Sequence, residues 1–165
     1  MIEIRRATHK DSVGISSLLI TNSSERGGAL YGDWSIGVVE KWITSDAMIA
    51  VAIDGSKLLG VLFTSEKAQA SAAPVLAMLS AWSGTVDAYV YGPICVDEAA
   101  RGQGVVERLF AYVAAELSGR EAILFIKANN LRSLRAHSRL GMTQVAHFEL
   151  CGEVFVVLSS EGTRY

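Results

Sequence analysis

The stretch from Val90 to Leu117, VYGPICVDEAARGQGVVERLFAYVAAEL, carries three local patterns in a fixed order. The β-branched and aromatic residues from Tyr89 to Val96 suit a buried strand, and Asp97-Glu98-Ala99-Ala100 ends it with polar and small residues that fit a turn. After Gly104, the apolar residues Val105, Val106, Leu109, Phe110, Val113 and Leu117 recur at helical spacing, while Glu107, Arg108 and Glu116 fall on the other side. Gly102 and Gly104 therefore sit where a strand becomes a helix. Glycine there lets the backbone turn tightly and approach a ligand, and the first helical turn presents unpaired N–H groups at its positive end. Such a junction suits phosphate.

Spacing narrows the phosphate ligand. A Walker loop requires Gly-Lys-Ser/Thr, whereas this chain has Gly104-Val105-Val106, which disfavours ATP and GTP. A dinucleotide fingerprint requires a third glycine where Glu107 stands, which disfavours NAD. What remains, Arg101-Gly102-Gln103-Gly104-Val105-Val106 after a strand, resembles the coenzyme A loop of the GNAT superfamily of N-acetyltransferases, whose pattern is Gln/Arg-x-x-Gly-x-Gly/Ala. The departure is Val106, in place of the usual Gly or Ala, whose bulk crowds the helix against the pyrophosphate. The alternative reading of the same residues is a solvated turn.

At 165 residues the chain is long enough for one domain with a sizeable core, expected over 1–159 with a frayed tail at 160–165. A net charge of −2 and a pI near 5.9 leave no basic field for nucleic acid, and no apolar run reaches the length of a membrane span. MIEIRRATHKDS lacks the apolar stretch of a secretion signal, and Cys95 and Cys151 lie in strand-like runs without Cys-x-x-Cys spacing. These features suggest a cytoplasmic chain with reduced thiols, no metal site and small-molecule partners.

In chain order, Ile2 to Arg6 alternates as a strand, and a helix with Asp11 as its N-cap carries Val13, Ile15, Leu18, Leu19 and Ile20. A polar break from Thr21 to Gly28, then Tyr31-Gly32-Asp33, precedes a second helix with Val38, Val39, Trp42 and Ile43. Met48 to Ile53 and Lys57 to Thr64 read as strands of a hairpin joined at Asp54-Gly55-Ser56. Only later does the pattern become strand, helix, strand, with Tyr89 to Val96, Val105 to Leu117 and Ala122 to Ile126. The expected fold class is a single α/β domain with a mixed, mostly antiparallel sheet and flanking helices. Within 65–86, Pro74 starts a short apolar helix that reads equally as core packing, a homodimer contact or a lid.

The second informative stretch runs from Asn130 to Met142. Asn130 can cap a helix, Gly141 can end it in the left-handed conformation, and Asn130, Ser133 and His137 share one stripe. These positions resemble the superfamily's second signature, Asn-x-x-Ser/Ala-x-x-x-Tyr-x-x-x-Gly-Phe, with His137 replacing Tyr and Met142 replacing Phe. The two signatures cover Tyr89 to Met142 in the superfamily's order.

The resemblance implies an N-acetyltransferase that moves the acetyl group of acetyl-CoA directly to an amine of a small molecule or peptide. It implies that the backbone of Ile94, Cys95 and Val96 binds the pantetheine arm, and that Gly92-Pro93 marks a local break in pairing. By the same resemblance the N–H groups of Arg101 through Val106 hold the pyrophosphate, and Asn130 and Ser133 belong to the cofactor side. His137 is the candidate acid for the departing thiolate, since imidazole titrates near neutrality. No general base stands out among Asp87, Tyr89, Tyr91, Glu40, Trp34 and His147, while Trp34, Tyr89 and Tyr91 are also candidates for the acceptor side, the two tyrosines expected to divide between core and pocket. An acetyl-cysteine route through Cys95 is disfavoured, a strand cysteine between Ile94 and Val96 being most often a small core residue. The alternative function is a CoA-binding regulatory or interaction module without turnover.

Overall fold

The alternating Ile2-Glu3-Ile4-Arg5-Arg6 forms β1 (Ile2–Arg6), and the hairpin signal at Asp54-Gly55 joins β2 (Ile49–Asp54) to β3 (Lys57–Glu66). Asp54 pairs with Lys57 across that turn, and Gly55 adopts φ +61° as its tightness requires. Strands β4 (Tyr89–Val96), β5 (Ala122–Lys127), β6 (Thr143–Leu150) and β7 (Glu153–Ser159) complete one mixed sheet in the order β1-β2-β3-β4-β5-β7-β6. The helices are α1 (Ser12–Thr21), α2 (Ile36–Thr44), α3 (Ala73–Ala81), α4 (Val105–Glu116) and α5 (Leu131–Arg139). This computed structural model describes residues 1–22 and 32–161. The expected polar break from residue 23 onward, Tyr31, and residues 162–165 of the expected tail lie outside the described residues. By its contacts the chain divides into two units that interleave along the sequence, Met1–Thr64 with Gly92–Leu117 and Ser65–Tyr91 with Ser118–Tyr165.

In the first unit, β1 and β3 each pair antiparallel with β2. Ile15, Leu18 and Leu19 of α1 and Val39 of α2 bury themselves against Ile49, Val51, Val61, Phe63 and Cys95. Each such aliphatic side chain contributes about 1.5–3 kcal/mol by leaving water. Asp11 stands at the N-cap of α1 as expected, but its side chain makes no capping bond there, because a turn of 3-10 helix, His9–Asp11, which Thr8 starts, runs into the helix. The Asp11 carboxylate instead accepts from the Thr8 N–H at 2.8 Å and from both terminal nitrogens of the Arg5 guanidinium at 2.8 and 2.9 Å. Burial alone would raise its pKa, but these bonds together hold it below the ordinary range. Helix α4 packs on the strands at Gly60, where a Cβ would come within 3.1 Å of Val105 Cγ1 and 3.3 Å of the Cys95 carbonyl oxygen. That close approach positions the loop preceding α4.

In the second unit, β5 lies parallel to the start of β4, with Tyr89 opposite Ala122 and Val90 opposite Ile123. Antiparallel β7 follows β5, and β6 pairs with β7 through a turn at Cys151-Gly152, both with positive φ. Of the three readings of 65–86, core packing is realised. Val75, Met78, Leu79 and Trp82 pack with Ala88, Val90, Ile123, Val157 and Phe148. The segment from Trp82 to Asp87 is clasped by three charged residues. Lys67 Nζ donates to the carbonyls of Ser83 and Thr85, and Arg120 donates to the Asp87 carbonyl while binding Glu66 through both terminal nitrogens. Glu121, 7% exposed, accepts from Trp82 Nε1, the Thr85 N–H and Ser159 Oγ. Ser160, expected to open a frayed tail, is 3% exposed, and its N–H and Oγ bond the backbone of Ala122. The ordered fold therefore extends past residue 159.

Candidate functional site

The junction of β4 and α4 has the local geometry that its glycines require. Gly102 adopts φ +81° and Gly104 φ +76°, conformations disfavoured for any residue with a Cβ. A Cβ at Gly102 would meet nothing within 4 Å, and one at Gly104 only Glu107 Oε2, at 3.8 Å. The polar side chains of the loop turn back on the protein. Asp97 accepts from the Ala99 N–H, Gln103 donates to the Ala99 carbonyl, and Arg101 donates to Asn22 Oδ1 at 3.3 Å. The backbone behaves oppositely. Helix α4 has no side-chain cap, and among the described residues no N–H from Gly102 through Glu107 donates to another protein group. The N–H of Arg101, expected to join this set, is engaged with the Glu98 carbonyl at 3.3 Å because the residues before it form a 3-10 turn. A run of open N–H groups at a helix N-terminus, with room where side chains would stand, fits a diphosphate.

Strand alternation divides the three residues before the loop. Ile94 and Val96 are half-buried, and Cys95, 7% exposed, turns into the core of the first unit. Burial pushes the Cys95 thiol up to about 12, so almost none of it is thiolate at neutral pH. Gly92 has φ +120° and is joined to Pro93 by a cis peptide bond.

In the second unit, α5 forms as its end signals predict. Asn130 Oδ1 accepts from the Ser133 N–H, and Gly141 follows the helix at φ +90°. The stripe of Asn130, Ser133 and His137 is realised, and it meets a residue of β4. His137 Nε2 lies 2.8 Å from the Tyr91 hydroxyl, His137 Nδ1 lies 2.8 Å from the Ser133 carbonyl oxygen, and the two rings meet edge-on. His137 is 2% exposed and Tyr91 3%. Nothing local in the sequence signals this pair, whose members lie 46 residues apart.

The other candidates scatter. Tyr89 and Tyr91, two apart in a strand, share a face rather than dividing between core and pocket, and Tyr89 is 1% exposed beneath the Arg120 guanidinium. Half-buried Trp34 packs against Trp42 and Phe63. Glu40, Asp87 and His147 are exposed. Among the described residues no group of His, Cys, Asp or Glu could hold a metal ion, and no helix is long and apolar enough to cross a membrane.

Residues 24–142 match the model of the Acetyltransferase (GNAT) family, and the chain belongs to that family. No curated protein sequence matches it. Solved structures share its fold at low identity. An N-acetyltransferase from Staphylococcus aureus Mu50 is 16% identical with a TM-score of 0.73, covering 96% of this chain and 97% of its own. The ribosomal-protein-S18-alanine N-acetyltransferase from Escherichia coli is 14% identical with a TM-score of 0.68, covering 96% and 92%. Arabidopsis thaliana NAA60, in complex with acetyl-CoA, is 16% identical with a TM-score of 0.69, covering 96% and 97%.

Proposed function

We propose that this protein transfers the acetyl group of acetyl-CoA directly to an amine of a small molecule or peptide. The observation that carries the reading is the loop before α4, where open N–H groups from Gly102 through Val106 flank two left-handed glycines. Those N–H groups hold the pyrophosphate, and the positive end of α4 offsets its charge. The backbone of Ile94, Cys95 and Val96 holds the pantetheine arm. Acetyl-CoA bound there supplies a thioester, which an amine attacks without a protein nucleophile. Membership of the GNAT family supports this reading, as does the acetyl-CoA bound to Arabidopsis thaliana NAA60. So does the Cys95 thiol, which burial keeps protonated and therefore unreactive. His137 handles the proton that the departing sulfur requires, and can give one only after its ring has become charged.

The test is release of free CoA from acetyl-CoA across an amine library, beside calorimetric binding of CoA. Acceptor-dependent release is expected. Tight CoA binding with no release against any amine or peptide would instead mark a CoA-binding regulatory module.

A further inference from the structure

The hydrogen bonds around His137 bear on the general base. His137 Nδ1 faces the Ser133 carbonyl oxygen at 2.8 Å, and a carbonyl only accepts, so Nδ1 carries the hydrogen. In the neutral ring Nε2 is then a bare acceptor, and the Tyr91 hydroxyl 2.8 Å away donates to it. A hydroxyl donating to an imidazole whose far nitrogen is anchored on an oxygen is an arrangement for taking up a proton. The carbonyl also stabilises the charged ring that uptake creates.

We infer that Tyr91 is the catalytic residue that touches the acceptor amine, and that it passes the amine's proton to His137, which acts through it. This rests on the acetyl-transfer reading and supplies its missing base. The amine lone pair forms the new C–N bond, and the C–S electron pair leaves with sulfur. As nitrogen sheds its proton to the Tyr91 oxygen, the Tyr91 proton moves to His137 Nε2. The reverse path through Tyr91 delivers one proton to sulfur and returns the ring to neutrality. One proton passes from nitrogen to sulfur overall, and no further reagent is consumed. Burial keeps water from competing for the proton, while Gly92, the next residue along β4, is already partly accessible.

The test uses the full chain. Histidine 15N NMR should find neutral His137 with hydrogen on Nδ1, and hydrogen on Nε2 would overturn the inference. His137→Gln keeps an acceptor for the Tyr91 hydroxyl but cannot become charged, and Tyr91→Phe removes the hydroxyl. Each should lower kcat at least about tenfold with the KM for acetyl-CoA within about twofold, and the double variant should be no slower than the slower single one. A folded His137→Gln that turns over like the parent would mean a purely structural pair and would overturn the inference. If that variant does not fold, kcat of Tyr91→Phe decides in the same way. A parent that binds CoA but never releases it from acetyl-CoA fails the acetyl-transfer reading. A parent that turns over while both variants match it fails this inference alone.

Discussion

Two loops lead into this chain's central elements, and they treat their polar groups in opposite ways. Residues 82–87, before β4, have their carbonyls bound by Lys67 and Arg120 and donate an indole N–H and a backbone N–H to Glu121. Residues 101–106, before α4, turn the Arg101 and Gln103 side chains inward and leave their N–H groups open from Gly102 onward. A loop that only connects lowers its energy by satisfying its own donors, because each one buried without a partner costs about 1–3 kcal/mol. A loop that binds must keep donors available and hold them in place by other means. Here left-handed glycines and the close packing of α4 at Gly60 do the holding.

The largest effect should come from the closed loop. Glu121→Ala leaves Trp82 Nε1, the Thr85 N–H and Ser159 Oγ without their acceptor and should cost about 3 kcal/mol. That corresponds to a melting temperature lower by about 6–12 °C for a chain of this size, with little change in CoA affinity. Calorimetry finding CoA binding weakened by an order of magnitude would erase the contrast between the loops.

Gly104→Val should reverse the pattern. A β-branched residue at φ +76° carries strain of about 1–2 kcal/mol, and its side chain occupies the open space above the helix N-terminus. CoA affinity should fall at least about tenfold while the melting temperature drops only a few degrees. Unchanged affinity in the folded variant would remove the phosphate site.

Acid should weaken the clasp. Burial pushes the Glu121 carboxyl up, but the hydrogen bonds from Ser159, Thr85 and Trp82 outweigh it and hold the group below its ordinary value, as Arg5 and Thr8 do for Asp11. At mildly acid pH the unfolded chain therefore binds more protons than the folded one. The stability these groups contribute is complete above the ordinary carboxylate range near 4, and is lost as the pH falls through their lower folded values. Melting temperature should hold level from pH 7 to about 5 and decline below that, less steeply in Glu121→Gln. An equal decline in parent and variant would assign the acid sensitivity to other carboxylates.

At the small end, Cys95→Ala should retain most activity, and mass spectrometry should detect no acetylated enzyme without acceptor, since burial pushes the Cys95 thiol up to about 12. An acetyl adduct on Cys95 that an amine then removes would replace direct transfer with a covalent route.

Much of this arrangement was legible in the amino-acid order. Where a signal is local, as with the strand from Tyr89 to Val96, the glycines before α4 or the Asn130 cap, expectation and structure agree closely. Where a signal depends on a distant partner, expectation failed or stayed silent. Ser160 was assigned to a tail because its anchor, Ala122, lies 38 residues earlier. The pairing of Tyr91 with His137 joins residues 46 apart in the chain, which periodicity within either segment cannot report.

The turn between β6 and β7 makes the protein convenient to handle. Cys151 is exposed there, and the chain's other cysteine, Cys95, is inert by burial, so a maleimide dye or surface tether should attach at a single known point. Cys151 also occupies, at φ +51°, the place that asparagine prefers before glycine in such hairpins. Cys151→Asn should therefore raise stability by several tenths of a kcal/mol and produce a chain indifferent to thiol reagents and oxidants.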